Sequence, residues 1–174
     1  MTLIVETGAV VAGAESYISV TDADTWHSNR GNTAWAALTT AQKEQSLRKA
    51  TDYMVGVYRN RWQGYRKDAT QTLDWPRSYV YLEPFIQGAV GSYPYLVSDT
   101  IVPTEVKNAC ASLALTAYGE ELAPDLDVAV VREKIDVIEV EYDKNSAPYK
   151  KFRSIDLMLK VYLKSTSGFE IVPT

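Results

Sequence analysis

Arg59-Asn60-Arg61-Trp62-Gln63-Gly64-Tyr65-Arg66-Lys67-Asp68-Ala69-Thr70-Gln71-Thr72-Leu73-Asp74-Trp75-Pro76-Arg77 packs five basic residues, two Trp, a Tyr, a Gly and a Pro into 19 positions. Gly64 breaks the helical periodicity arriving from upstream, and Pro76 excludes the α conformation at Trp75. A helix must therefore end here, and Trp75 is expected to be extended and to point inward. The stretch admits two readings. In the structural one, Trp62, Tyr65 and Trp75 anchor an irregular segment to the domain, with Arg stems along their faces. In the functional one, Arg59, Arg61, Arg66, Lys67 and Arg77 follow a phosphate backbone while Trp62 and Tyr65 stack bases. The formal net charge of -4 favours the first, since nucleic-acid domains carry a basic balance.

Upstream, Thr39 and Gln42 form a capping box. The helix it opens runs to about Tyr58, with Ala41, Leu47, Ala50, Met54 and Val57 on its apolar face. A short helix is expected from Thr21, as N-cap, to about Asn29, and a brief segment from Asn32 to Leu38 carries Trp35. Residues 1–20 read as an extended arm or edge strand.

Downstream, residues 78–100 combine Tyr79, Tyr81, Tyr93 and Tyr95 with Pro84, Gly88, Gly91 and Pro94. That composition predicts a long loop without regular structure. Pro103 at the first helical position starts a core helix that ends near Tyr118-Gly119, with Val106, Ala109, Cys110, Leu113, Ala114 and Ala117 facing inward. From 128 to 143 the period changes to two, predicting a β-hairpin that turns near Asp136-Val137 and carries Glu139 and Glu141 on its second strand. A last helix is expected from Arg153 to Leu163. The tail 164–174, in which Phe169, Ile171 and Val172 form an alternating, strand-like pattern, is expected either to return to the sheet or to add as a strand to another chain. The expected architecture is mainly α with a β-hairpin: one small helical-bundle domain over 1–163, with an N-terminal arm and a C-terminal tail.

Composition narrows the function. With one Cys and one His among 174 residues, zinc sites and Ser-His or Cys-His catalysis would rest on Cys110 and His27, whose settings carry no catalytic signature. Both read as packing or surface residues. No phosphate loop, nucleophile elbow or metalloprotease motif occurs, so an enzyme is the least supported reading and no cofactor is expected. No apolar run is long enough to span a membrane, and the N-terminus lacks a basic leader region, which predicts a chain made in the cytoplasm. Twelve Tyr and four Trp are a load suited to a surface that meets another protein.

Several segments together carry a resemblance. They are Leu3 to Gly8 leading to Ala14-Glu15-Ser16-Tyr17, Arg30-Gly31-Asn32-Thr33-Ala34-Trp35, Ala50-Thr51-Asp52-Tyr53, Thr70-Gln71 to Trp75-Pro76-Arg77, Pro103 with Val106-Lys107, and Arg132-Glu133-Lys134 to Glu139-Val140-Glu141-Tyr142. The chain resembles tailed-phage proteins labelled DnaT-like single-stranded DNA-binding. It is also similar to head-to-tail connector, or adaptor, subunits, which form a ring, usually twelvefold, beneath the portal.

The connector resemblance implies a structural virion protein of the neck. Its partners would be the portal, neighbouring copies and the next neck or tail component, with double-stranded DNA passing through the lumen without sequence-specific binding. On that reading Tyr162, Phe169, Ile171 and Val172 meet the portal or a neighbour, while Glu139, Glu141, Tyr93 and Tyr95 lie between subunits. The alternative is a single-stranded DNA binder of phage replication, with Arg59, Arg61, Trp62, Arg66, Lys67 and Arg77 as its contacts.

Overall fold

The computed structural model describes residues 2–82, 95–124, 133–135, 138–140 and 152–164. The fold is mainly α with a small β-hairpin. Its helices are α1 (Val20–Ser28), α2 (Thr33–Ala36), α3 (Thr40–Tyr58), α4 (Thr104–Gly119) and α5 (Arg153–Leu159), the last tightening into a 3-10 turn over Lys160–Tyr162. Short strands β1 (Tyr65–Arg66) and β2 (Arg77–Ser78) pair antiparallel, as do β3 (Glu133–Ile135) and β4 (Ile138–Val140).

The core is the seam between α3 and α4. Leu47, Ala50, Tyr53, Met54 and Tyr58 of α3 meet Val106, Ala109, Cys110, Leu113, Ala114 and Ala117 of α4. Small residues on both sides let the helices approach closely, and each large apolar side chain buried contributes about 1.5–3 kcal/mol. The capping box at the start of α3 is present: Thr39 Oγ1 accepts from the Gln42 N–H at 3.3 Å, and the Thr39 N–H donates to Gln42 Oε1 at 2.9 Å. Cys110 is fully buried beside Thr51 and Ser16, and burial pushes its thiol up.

Three boundaries differ from the sequence expectation. Ser19, not Thr21, caps α1, because its hydroxyl accepts from the Asp22 N–H at 3.0 Å and donates to the Asp22 carboxylate at 2.8 Å. Pro103 stands at the cap of α4 with an extended ψ of 146°, one place before the first helical residue. The last helix stops at Leu159, four residues short of Leu163.

The first twenty residues are extended but not free. Leu3, Ala14, Tyr17 and Ile18 are buried, and Val5 bridges Ser16. The buried Glu6 carboxylate accepts N–H groups from Gly8, Val10 and Val11 at 2.8, 3.1 and 2.8 Å, closing the loop on itself. Gly8 (φ +104°) is required there, since a Cβ would lie 2.1 Å from the Thr100 carbonyl oxygen.

The long 78–100 loop is likewise closed at its base. Tyr81 bridges Leu96, the Val97 N–H donates to the Val80 carbonyl at 2.9 Å and the Leu82 N–H to that of Tyr95 at 2.8 Å. Backbone pairing thus carries into a segment whose composition predicted none; Tyr93 lies outside the described residues. β3 and β4 pair antiparallel as expected, with Lys134 opposite Glu139 in register; the expected turn at Asp136-Val137 lies outside the described residues.

Candidate nucleic-acid interface

Behind α3 the basic aromatic stretch folds into a lobe whose interior is aromatic. Trp62 and Trp75 are fully buried and meet edge to face at 5.5 Å; Trp75 packs in the same manner on Tyr162 at 5.6 Å, and Tyr58 tilts against Trp62 at 5.6 Å. Arg77 is buried beneath this cluster. Its Nε donates to the Gln63 carbonyl at 2.7 Å, Nη2 to that of Gly64 at 2.7 Å and Nη1 to that of Asp74 at 3.2 Å. Burial lowers its pKa.

These positions correct the sequence reading. Trp62 cannot stack on a base and Arg77 cannot reach a phosphate, because both are spent holding the lobe together. Tyr162 is not a free contact either: it is buried, and its hydroxyl donates to Glu105 Oε2 at 2.6 Å. The proposed anchor Tyr65 has the opposite fate, standing 73% exposed on β1.

A groove of about 770 Å³ opens on the outer side of the lobe, lined by Arg59, Asn60, Gly64, Tyr65, Arg66, Asp74, Arg77, Tyr79, Tyr81 and Lys164. The pairing of β1 with β2 sets Tyr65 opposite Ser78 and brings Tyr79 alongside, the two rings 6.4 Å apart. Tyr79 is 64% exposed and has φ +61°, a conformation that costs a non-glycine residue free energy and holds the ring outward. Gly64 (φ +60°) lets the strands close, for a Cβ there would meet the Ser78 carbonyl oxygen at 2.0 Å.

The cations at the rim keep much of their charge. Arg66 donates to the Gln71 carbonyl at 3.3 Å and Lys164 to that of Asn60 at 3.1 Å, both neutral partners. Lys164 arrives by tertiary pairing: Trp62 bridges Leu163, and the Lys164 N–H donates to the Arg61 carbonyl at 2.8 Å. Arg59 is anchored through Nε to Asp74 Oδ1 at 2.9 Å and is half-exposed.

Arg61 and Lys67 face elsewhere. Arg61 pairs with Asp156 at 3.2 Å and lies over the Tyr58 ring, while Lys67 pairs with Asp99 at 3.6 Å. Tyr95 is exposed at the base of the following loop. Glu139 sits on β4; Glu141, Phe169, Ile171 and Val172 lie outside the described residues. Of the candidate DNA contacts, the groove thus gathers Arg59, Tyr65 and Arg66 for use, with Arg77 held in its wall. It adds Tyr79, Tyr81, Lys164 and Asp74, which the sequence reading did not assign to DNA; the alternation of Tyr65, Ser78 and Tyr79 across a strand pair is the signal that could have found the two rings.

A family model described as "Putative DnaT-like ssDNA binding protein" matches residues 1–172. The chain belongs to this family. The match carries the DnaT-like part of the resemblance noted above and does not extend to connectors. No curated protein and no solved structure matches. Among the described residues of this DnaT-like chain, no cluster of His, Cys, Asp and Glu could hold a metal, and no helix is long and apolar enough to cross a membrane.

Proposed function

We propose that the chain binds single-stranded DNA in the groove beside β1 and β2. The observation that carries this is the placing of exposed Tyr65, Tyr79 and Tyr81 next to Arg59, Arg66 and Lys164 around one concavity. Stacking rings beside cations are the means of sequence-tolerant single-strand binding, and the family's description names the same ligand. Overall charge of -4 weakens long-range attraction but leaves this local basic face intact.

The test is fluorescence anisotropy with a labelled mixed-sequence single strand over rising salt. With Arg59, Arg66 and Lys164 each meeting a phosphate, the logarithm of affinity should fall with that of salt at a slope of about -2. No binding at low salt would overturn the proposal.

A second reading rests on another feature. Tyr81, Leu82, Tyr95 and Leu96 are all at least 40% exposed at the base of the 78–100 loop, a composition suited to a protein partner. It favours the connector subunit: a virion ring component docking on the portal. Saturable capture by isolated portal rings, with no salt-sensitive DNA binding, would select that reading over the first.

A further inference from the structure

Asp74 stands in the groove wall with its side chain fully buried, yet among the described residues only one of its carboxylate oxygens has a partner. Oδ1 accepts from Arg59 Nε at 2.9 Å, whereas Oδ2 is buried with none. Arg77 turns its nitrogens to backbone carbonyls, and the Tyr17 hydroxyl accepts the Asp74 N–H at 3.1 Å, so neither fills Oδ2. An unpaired buried acceptor is costly, and in a groove it calls for a donor from the ligand.

We propose that Asp74 makes the groove selective for bases that carry an exocyclic amine. The inference rests on the single-stranded DNA reading and assigns its base preference. Cytosine N4, adenine N6 and guanine N2 present N–H groups at the base edge, and Asp accepts from such amines. Thymine and uracil present carbonyl oxygens there, with their one N–H recessed between them, so a carboxylate oxygen meets like partial charge.

Arg59 is the gate. It is held to Asp74 by one bond and is half-exposed, so a phosphate that draws its guanidinium outward opens the carboxylate to the base. The Tyr65 and Tyr79 rings hold the base plane beside it.

The test compares roughly 12-nucleotide homopolymers of deoxycytidine and deoxyuridine, a length within ordinary single-strand site sizes. The two have the same ring size and sugar, and are measured on the wild-type chain at neutral pH. Deoxycytidine should bind about tenfold more tightly, the discrimination expected of one good base contact. In Asp74→Asn, whose amide can donate to the uracil O4, the ratio should fall to about one or below. The wild-type comparison needs no variant, and a melting curve of Asp74→Asn checks that it is folded. Equal binding of both polymers by the wild type, or a preference unchanged in the variant, overturns the selectivity while leaving single-strand binding in place. Binding of neither polymer overturns both.

Discussion

Nη2 of Arg77 donates to the carbonyl of Gly64 at 2.7 Å, so a guanidinium at one end of the basic stretch clasps a turn near its start. The contact turns an irregular segment into a rigid wall for the groove. A lysine cannot reproduce it, having one nitrogen where three are used. Arg77→Lys should therefore destabilise the chain by about 2–4 kcal/mol, since hydrogen bonds to a charged group are worth about 1.5–3 kcal/mol each and are only partly replaced. Urea denaturation followed by Trp fluorescence reads this directly.

The exposed tyrosines should separate from the buried tryptophans by what they affect. Tyr65→Ala and Tyr79→Ala are each expected to weaken single-strand affinity by about 1–3 kcal/mol with little change in melting temperature. Trp62→Ala should instead lower stability by about 3–5 kcal/mol. Equal loss of affinity in a still-folded Trp62→Phe variant would contradict this division.

Replacing Arg66 or Lys164 by Ala should weaken binding uniformly across sequences. Each replacement should also reduce the salt slope in magnitude by about 0.7. Arg61→Ala is the control: its guanidinium is held by Asp156 and the Tyr58 ring, away from the groove. Its salt slope should match the wild type.

Acid should loosen the junction between α1 and α2 through His27. Its Nε2 lies 3.0 Å from the Ala111 carbonyl and its Nδ1 3.0 Å from the Asn32 amide nitrogen, so one nitrogen donates and the other accepts. A second proton on the ring would abolish the Asn32 bond, and burial lowers the pKa of His27. The unfolded chain then binds the proton first. The stability held by the neutral ring is intact above the ordinary histidine range and is lost as pH falls below about 6.5. Urea midpoints at pH 7.5 and 5.5 should differ in wild type, and the difference should shrink in His27→Gln.

Tyr162→Phe removes only the hydroxyl that bonds Glu105 across to α4. The expected cost is about 1 kcal/mol, with DNA affinity unchanged. Chemical denaturation paired with anisotropy tests both halves.

Local chemistry made much of this fold legible. The Thr39–Gln42 box, the small-residue face of α4 and the two-residue period of β3 and β4 are written in adjacent residues, because caps and periodicity act over four residues or fewer. Ser19 and Thr21 are both N-cap residue types standing two positions apart, so residue type alone does not choose between them.

The site was only half legible. Density of basic and aromatic residues marked the stretch, but density cannot say which ring faces water. Trp62 and Tyr65 are three apart, and one is buried while the other stands 73% exposed. Lys164 reaches the groove only because residues 163 and 164 pair with the segment at 61 and 62, a contact separated by about a hundred positions.

The sequence by itself determined where the helices form, the capping box of α3 and the place where α3 must stop, since each follows from backbone geometry and side-chain spacing within a turn. Only the tertiary structure decided that Arg77 and Trp62 are scaffold while Tyr65, Tyr79 and Arg66 form the groove. The physical reason is that burial is settled by long-range packing, and a guanidinium or a ring becomes a binding group only when no distant part of the chain has already claimed it.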